Sequence, residues 1–266
     1  MRQDAKPKPR RCGRWCLALL LLSFTWHFLT TNVVAQAGVL KTDEAHRIQT
    51  RLALASAYFQ AKMWLFAMEE VDQALRVSPT IPEALALKAL IFQMQNRNDL
   101  AGLYFAKASL QAPQNAQIAH NFGVFFCETG QFKLAFDQFQ TAHVHSHGLD
   151  KDKTSWVWGQ CLLKSGEFEG ANAHMTEALN RQPEFILMAL ELAALKIQLK
   201  RYSEAEKILD FLNDSPSVSA QSLWLGMQLA ERQNQEDKKN QWGKMLGQRF
   251  SNSTQWRATQ VQGSHD

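Results

Sequence analysis

The chain has 266 residues, of which 45% are hydrophobic and 20% charged, so it is long enough and apolar enough to bury a sizeable core. Only seven prolines and thirteen glycines are present, and the stretches between them are rich in residues that favour helix over strand. This composition excludes a collagenous or wholly disordered chain and disfavours an all-β fold.

The formal net charge of +4 is concentrated at the N-terminus. Residues 1–35 carry six Lys/Arg and one acidic residue, whereas the rest of the chain, with 23 bases and 24 acids, is nearly neutral. Binding to nucleic acid needs a local excess of Lys and Arg that displaces counterions, and the sequence after residue 35 has no such run. Nucleic acid is therefore not an expected partner.

The N-terminal segment predicts export. Its basic residues are followed by an apolar run from Cys16 to Leu29 and then by small and polar residues that end at Ala35. This order is typical of a secretory signal peptide, here residues 1–35, with cleavage after Ala35. The alternative is an uncleaved inner-membrane anchor, because extension of the run to Val34 approaches the ~17 residues that a spanning helix needs. In either case the body of the protein lies outside the cytoplasm, and any membrane association runs through this segment.

The prolines of the remaining chain reveal a repeat. Pro79 and Pro113 are 34 residues apart, and Pro183 follows 70 residues later, close to two further periods. A period of this length is typical of tetratricopeptide repeats, in which pairs of helices stack into an all-α, right-handed α-solenoid. Because proline inside a helix costs roughly 3 kcal/mol, its confinement to unit junctions fits a stack of helical hairpins.

About six units are predicted within residues 48–250, with a lead-in at 36–47 and a flexible tail at 251–266. The units start near residues 48, 82, 116, 152, 186 and 219. Each unit needs a small residue on each helix where the two backbones approach closely. The first-helix positions are Ala55, Ala89, Gly123, Gly159, Ala193 and Gly226, and the second-helix positions are Ala67, Ala101, Ala135, Ala171 and Ala205. Lys238 replaces the small residue in the sixth unit, which predicts a degenerate cap.

The first helices of such a stack line its concave side, so the residues of a binding groove can be read from unit positions two, five, nine, twelve and thirteen. These positions are mostly apolar, and an exposed apolar stripe of this kind is suited to an extended or helical apolar peptide. The predicted partner-binding residues are Leu52, Phe59, Leu90, Met94, Val124, Trp156, Leu163, Leu187, Leu190, Ile197, Leu223 and Met227. The charged residues at these unit positions are Glu83, Glu128, Lys153, Lys164 and Glu231. The alternative is that neighbouring units or the lead-in cover much of this stripe.

The sequence gives no support for catalysis, a cofactor or a metal. It contains no phosphate-binding, dinucleotide-binding, zinc-protease or nucleophile-elbow motif. His143, His145 and His147 lie close together, but without neighbouring Cys they are interpreted as a solvated helix end rather than a metal site. His120 and His174 receive the same interpretation.

Two cysteines remain after the export segment, in which Cys12 and Cys16 lie. Cys127 is the twelfth residue of one predicted first helix and Cys161 the tenth of the next. Because these helices are predicted neighbours, a disulfide between them is plausible in an oxidising compartment. Two separate buried thiols are the alternative.

Three motifs resemble the periplasmic tetratricopeptide proteins of type IV pilus biogenesis and stability, a group that includes pilotins. They are the run Asn121–Cys127 followed by Gly130, the stretch Gly159–Cys161, and the run Ser222–Gly226. The resemblance covers about residues 46–250, and the cysteines of the family match Cys127 and Cys161. Many members carry a lipobox cysteine, whereas no cysteine follows the apolar run here, so acylation is not expected.

The resemblance implies a non-catalytic adaptor in the periplasm, with the outer membrane as the expected place of association, that binds a secretin or another pilus component. The alternative is a general periplasmic assembly factor or chaperone for another envelope complex. Both functions depend on a protein partner.

Overall fold

The computed structural model describes residues 44–183 and 185–262, so the predicted signal peptide or anchor at 1–35 lies outside the described residues. Within the described ranges every regular element is a helix, which confirms the predicted all-α class. No helix in these ranges is both long and apolar enough to cross a membrane. The helices are α1 (44–60), α2 (Trp64–Val77), α3 (Pro82–Met94), α4 (Asn98–Gln111), α5 (Ala116–Glu128), α6 (Phe132–His145), α7 (Gly148–Ser165), α8 (Phe168–Arg181), α9 (Ile186–Gln198), α10 (Tyr202–Asn213), α11 (Ala220–Arg232), α12 (Glu236–Arg249) and α13 (Thr254–Gln262).

The chain divides into two compact units, residues 1–84 and 85–266. The described part of the first unit contains the hairpin of α1 and α2. Its two helices are joined by an ion pair of 2.7 Å between Arg51 Nη1 and Glu70 Oε2. The rings of Tyr58 and Phe66 also pack with their centroids 5.5 Å apart.

The second unit is a stack of hairpins. Helices pair as α5/α6, α7/α8, α9/α10 and α11/α12, and the second helix of each of the first three pairs also contacts the first helix of the next. First helices also contact one another, since α5 contacts α7 and α9 contacts α11. Within α3 and α4, the rings of Phe92 and Tyr104 pack at a centroid distance of 5.5 Å. The core of this unit therefore runs between successive helices.

Small residues permit the close approach of the two helices in each hairpin. Every predicted Ala at these positions is fully buried, and the three glycines are also buried. A Cβ atom added to Gly123 would lie only 2.8 Å from the ring of Phe139, and one added to Gly226 would lie 2.7 Å from the ring of Trp242. The partner helix thus fills the space that a side chain would need.

The hairpin turns share one backbone conformation. Each turn contains a residue with φ between 55° and 86°, a region that L-residues adopt rarely. Glycine occupies this position in two of the six turns, at Gly130 and Gly166, where the sequence predicts turns. The other four positions are Lys62, Asn96, Lys200 and Asn234. The fold therefore imposes the same turn on residues with different intrinsic preferences.

Three boundaries differ from those expected. Helix α1 is already present at residue 44, inside the predicted lead-in. Helix α7 begins at Gly148, four residues before the predicted start, because the residues inserted between the third and fourth units are helical. The segment expected to form a flexible tail contains α13, whose Trp256 packs against the cluster of Leu223, Trp242 and Leu246.

Ion pairs of Lys238 attach the degenerate sixth unit to the preceding hairpin. Lys238 lies 2.6 Å from Glu206 Oε1 and 2.8 Å from Asp210 Oδ1, both on α10. Its ammonium group also lies 4.9 Å from the centroid of the Trp242 ring. The long side chain that departs from the repeat pattern thus links α12 to the preceding hairpin.

The contact between Gly123 and Phe139 predicts the cost of a single methyl group. Gly123→Ala should destabilise the protein by roughly 1–3 kcal/mol, because the fully buried Phe139 must move. The free energy of unfolding in urea, followed by circular dichroism, measures this. Gly170→Ala is the matched control, since its Cβ would lie 3.5 Å from Leu162, an ordinary contact, and should leave stability unchanged or slightly higher. Equal midpoints for Gly123→Ala and the wild type would contradict this account of the packing.

Candidate partner-binding surface

All twelve predicted partner-binding residues lie on the first helices, α1, α3, α5, α7, α9 and α11. Their side chains fall into two groups according to burial. Four belong to the core, and eight retain contact with solvent. The accessible set therefore differs from the predicted one.

The four core residues are Leu52, Trp156, Ile197 and Leu223, with exposed fractions of 9%, 7%, 9% and 0%. Trp156 packs in a cluster with Met175 and Leu192. Leu223 packs in a cluster with Trp242, from the second helix of the same hairpin. These side chains offer almost no area to a partner, which corrects their placement in the groove.

The other eight predicted residues keep accessible surface. Leu187 and Met94 are exposed, at 76% and 46%. The six half-buried members are Phe59, Leu90, Val124, Leu163, Leu190 and Met227. Phe59 lies in the first unit, where its ring packs 5.0 Å from that of Trp64. The seven that lie in the second unit are called here the first-helix surface.

Polar side chains connect neighbouring first helices in the second unit. Gln93 Nε2 donates to Glu128 Oε2 at 2.6 Å, which joins α3 to α5. Gln160 Nε2 donates to Glu191 Oε2 at 3.0 Å, which joins α7 to α9. The repeat pattern predicted Glu128 among the lining charges. Gln93 and Gln160 also occupy groove positions, twelve and nine of their units, but they are neither apolar nor charged and so were not among the predicted residues. Glu191 lies at position six, outside the pattern.

The five charged residues predicted among the apolar positions are all exposed. Glu231 pairs with Lys239 at 2.8 Å, and Lys153 lies 3.9 Å from Asp150. Because such exposed pairs stabilise a protein by at most about 1 kcal/mol, these charges remain available to a partner.

Several exposed apolar side chains lie outside the predicted groove, on second helices. Leu110 at the end of α4 is 78% exposed, and Phe211 near the end of α10 is 59% exposed. They are not among the predicted groove residues because all groove positions of the repeat lie on first helices. They provide matched positions for testing which face of the protein binds a partner.

A disulfide joins Cys127 on α5 to Cys161 on α7, with the two Cα atoms 5.9 Å apart. Both residues are buried in a cluster with Ala135 and Phe139. The bond thus crosses from one hairpin to the next at the level of the first helices. It lies near the C-terminal ends of both helices, away from the inserted residues at the start of α7.

The histidines between the third and fourth hairpins are placed differently from one another. His145 and His147 are exposed, in agreement with a solvated helix end. His143 is half-buried, and its Nδ1 lies 3.0 Å from Ser155 Oγ. The interpretation as a solvated end is therefore wrong for His143, because α7 packs against it.

His120 and His174 are also partly buried rather than solvated. The Thr154 hydroxyl donates to the carbonyl of Asp150 and therefore accepts a hydrogen bond from His120 Nδ1, at 3.0 Å. Burial lowers the pKa of His120 below its usual value, and the positive charge of Lys153 acts in the same direction, whereas Asp150 opposes them. His120 is thus held neutral at neutral pH.

A polar cleft of about 500 Å³ lies where α5, α6 and α7 meet. His120, His145, His147 and Asp150 are among its lining residues. Across the described part of the chain, however, no three His, Cys, Asp or Glu side chains are grouped in a way that could hold a metal ion.

Comparison with known proteins defines the class of fold. The family model for the tetratricopeptide repeat matches residues 162–214, which span the end of α7 to the end of α10. The structure also resembles that of YrrB, a tetratricopeptide-repeat protein with an unusual peptide-binding site, with a TM-score of 0.60 and 12% identity, covering 72% of this chain and 97% of that chain. The protein has the fold of tetratricopeptide-repeat proteins, an α-solenoid of helical hairpins.

Within that class the chain is similar to two proteins of the type IV pilus. The type IV pilus assembly protein PilF of Pseudomonas aeruginosa is 24% identical over 226 residues, 84% of this chain and 89% of PilF. The structure of PilF from that organism matches with a TM-score of 0.68 and 22% identity over 82% of this chain and 99% of the other. PilW, a type IV pilus biogenesis factor, matches with a TM-score of 0.64 and 23% identity over 80% and 97%. The chain is thus similar to PilF over most of its length and shares the fold of PilF and PilW.

The disulfide predicts a measurable dependence of stability on reductant. It closes an interval of 34 residues, for which the chain-entropy model gives a stabilisation of roughly 3 to 4 kcal/mol. Reduction should lower the urea midpoint of the wild type by a corresponding amount. The double variant Cys127→Ala, Cys161→Ala is the control, and its midpoint should not respond to reductant. Full reaction of both thiols with a maleimide in the denatured, non-reduced wild type would show that the bond is absent.

Proposed function

We propose that this protein is a non-catalytic scaffold or adaptor of type IV pilus biogenesis in the periplasm. Its partner is the outer-membrane secretin or another pilus component. The observation that carries the proposal is the similarity to PilF, which extends over most of both chains rather than over a single repeat. The similar fold of PilW, itself a type IV pilus biogenesis factor, supports the same assignment.

The first-helix surface is the proposed binding site. Leu187 and Met94 expose large apolar side chains, and the half-buried members add area around them. Isolated apolar residues are common on protein surfaces, but all seven members lie at groove positions of first helices, and Leu90, Val124 and Met227 share position nine of their units. An extended or helical apolar segment suits it, with Glu128 and Lys164 available for polar contacts at its margin.

The absence of a catalytic role follows from the kind of surface that is proposed. Burial of apolar side chains provides affinity, whereas catalysis needs groups positioned around a reacting atom. The export segment at 1–35 supports the periplasmic location, with the uncleaved anchor as the alternative form of attachment.

Deletion of the gene tests the assignment to the pilus. We expect loss of surface pili or of secretin multimers, measured by electron microscopy of cells and by immunoblotting of heat-resistant multimers. Re-expression of the wild type should restore both. Normal pili and normal secretin multimers in the deletion strain would refute the proposal. A defect in a different envelope complex would instead favour a general assembly factor.

Two charge substitutions test the surface itself. Leu187→Glu and Met94→Glu each place a charge where an apolar contact is proposed, and both side chains are exposed enough that folding should be unaffected. We expect each to weaken recovery of the partner from envelope extract by about tenfold or more, as for central residues of an interface. Leu110→Glu, at an equally exposed apolar position on a second helix, is the matched control and should bind like the wild type. Equal loss in all three variants would contradict the choice of surface.

A further inference from the structure

Two imidazoles and an indole meet between the third and fourth hairpins, on three successive helices. The ring of His174, on α8, stacks on that of Trp158, on α7, with centroids 4.0 Å apart and planes 26° apart. The ring of His143, on α6, lies edge-on to both, with its centroid 6.2 Å from each. These three residues, called here the aromatic joint, connect the second helix of one hairpin to both helices of the next.

The packing of the aromatic joint favours uncharged imidazole rings. His174 Nδ1 is buried and has no hydrogen-bond partner, and the same is true of Trp158 Nε1. An imidazolium carries a proton on both ring nitrogens, so protonation of His174 would leave a charged N–H without an acceptor in a buried site. Because buried unpaired donors are costly, the packed arrangement favours the neutral ring.

The carboxylates near the joint do little to compensate for added charge. Arg181 lies 3.0 Å from Glu177 Oε1 on α8 and 3.0 Å from Asp152 Oδ1 on α7, so one guanidinium already pairs with both acids. Glu177 lies 3.9 Å from His143 Nε2. The remaining charged group near His143 is Lys151, on α7, which is positive.

Within the described part of the chain, the acids that act on the pKa of His143 or His174 are Glu177 and Asp152 alone. The α9 residues in the adjoining core cluster are Leu192 and Leu195. On α5, His120 lies next to Phe139, with ring centroids 6.2 Å apart, and Phe139 in turn stacks on Trp158. A positive charge on His174 would thus lie against the Trp158 ring and beside His143, with Glu177 as the opposing acid.

The electrostatics of the two rings act in the same direction. Burial lowers the pKa of His174, and the proximity of His143 lowers it further, against the opposing effect of Glu177. Burial also lowers the pKa of His143, and Lys151 and Arg181 add to this effect, against Glu177 and Asp152. In the unfolded chain both rings take up protons near pH 6.5. The stability that the neutral rings contribute is therefore complete above that pH and is lost as the pH falls through the window below it.

We propose that the aromatic joint is an acid-sensitive hinge, closed while His143 and His174 are neutral and opened when they are protonated. Opening would separate α6, α7 and α8 locally, because His143 on α6, Trp158 on α7 and His174 on α8 hold these helices together through their ring contacts. The neighbouring Cys127 to Cys161 bond would keep the first helices of the two hairpins together while the second helices part. Acid would then change the packing between these hairpins without dissolving the whole stack.

Hydrogen exchange of the purified protein, measured by mass spectrometry at pH 7.5 and 5.5 and corrected for intrinsic exchange rates, tests the hinge. We expect protection of α6 to α8 to fall severalfold more than that of α10 to α12, because α10 to α12 contain no histidine. His174→Phe should abolish this difference, because phenylalanine can stack on Trp158 and cannot be protonated. His145→Gln, which removes an exposed imidazole near the same junction, is the control and should behave like the wild type.

Parallel loss of protection in all helices would overturn the proposal, as would the same local loss in His174→Phe as in the wild type. If His174→Phe does not fold, the wild type still decides the question through nuclear magnetic resonance of its histidines. Local opening must then follow the titration of His174 and His143. Opening that follows only other histidines would refute the hinge.

Discussion

Close approach of paired helices is the constraint on which the rest of this structure depends. Wherever two helices form a hairpin, one backbone lies so near the other that Ala or Gly is required at the contact. At Gly123 and Gly226 even a methyl group would collide with an aromatic ring of the partner helix. Aromatic and aliphatic side chains on either side of each contact then fill the core between hairpins, and their burial stabilises the stack.

The junction between the third and fourth hairpins combines several devices that the other junctions lack. The inserted residues lengthen α7 at its N-terminus, so this part of the helix has no counterpart in the repeat pattern. A disulfide connects the first helices, the nearly buried Asp152 pairs with Arg181, and the aromatic joint connects three helices. Covalent and polar links thus add to the packing of α5 and α6 on α7 at this junction.

Large apolar residues on the first helices have two roles. Some form part of the core, and others remain exposed to a partner. Trp156 and Leu187 are both large, apolar and at groove positions of their units, yet one is buried in the core and the other is 76% exposed. The difference arises from the neighbouring hairpin, which covers one position and leaves the other open. A surface for an apolar partner is therefore what remains of the apolar first-helix face after the stack has formed.

The amino-acid sequence by itself determined the helical class, the hairpin period and the small residues at the helix contacts. These are local in origin, since each depends on residue types at fixed spacing along one or two helices. It also placed Cys127 and Cys161 on the first helices of neighbouring units, at the twelfth and tenth positions, which made a bond between them plausible.

Only the tertiary structure decided which apolar residues remain accessible, where α7 begins, and how His143 and His174 meet on Trp158. Trp256 likewise became part of the core through α13, although the polar sequence around it favoured a frayed tail. Burial and ring contacts depend on how whole helices pack across hairpins, and that packing has no signature in the spacing of residues within one unit.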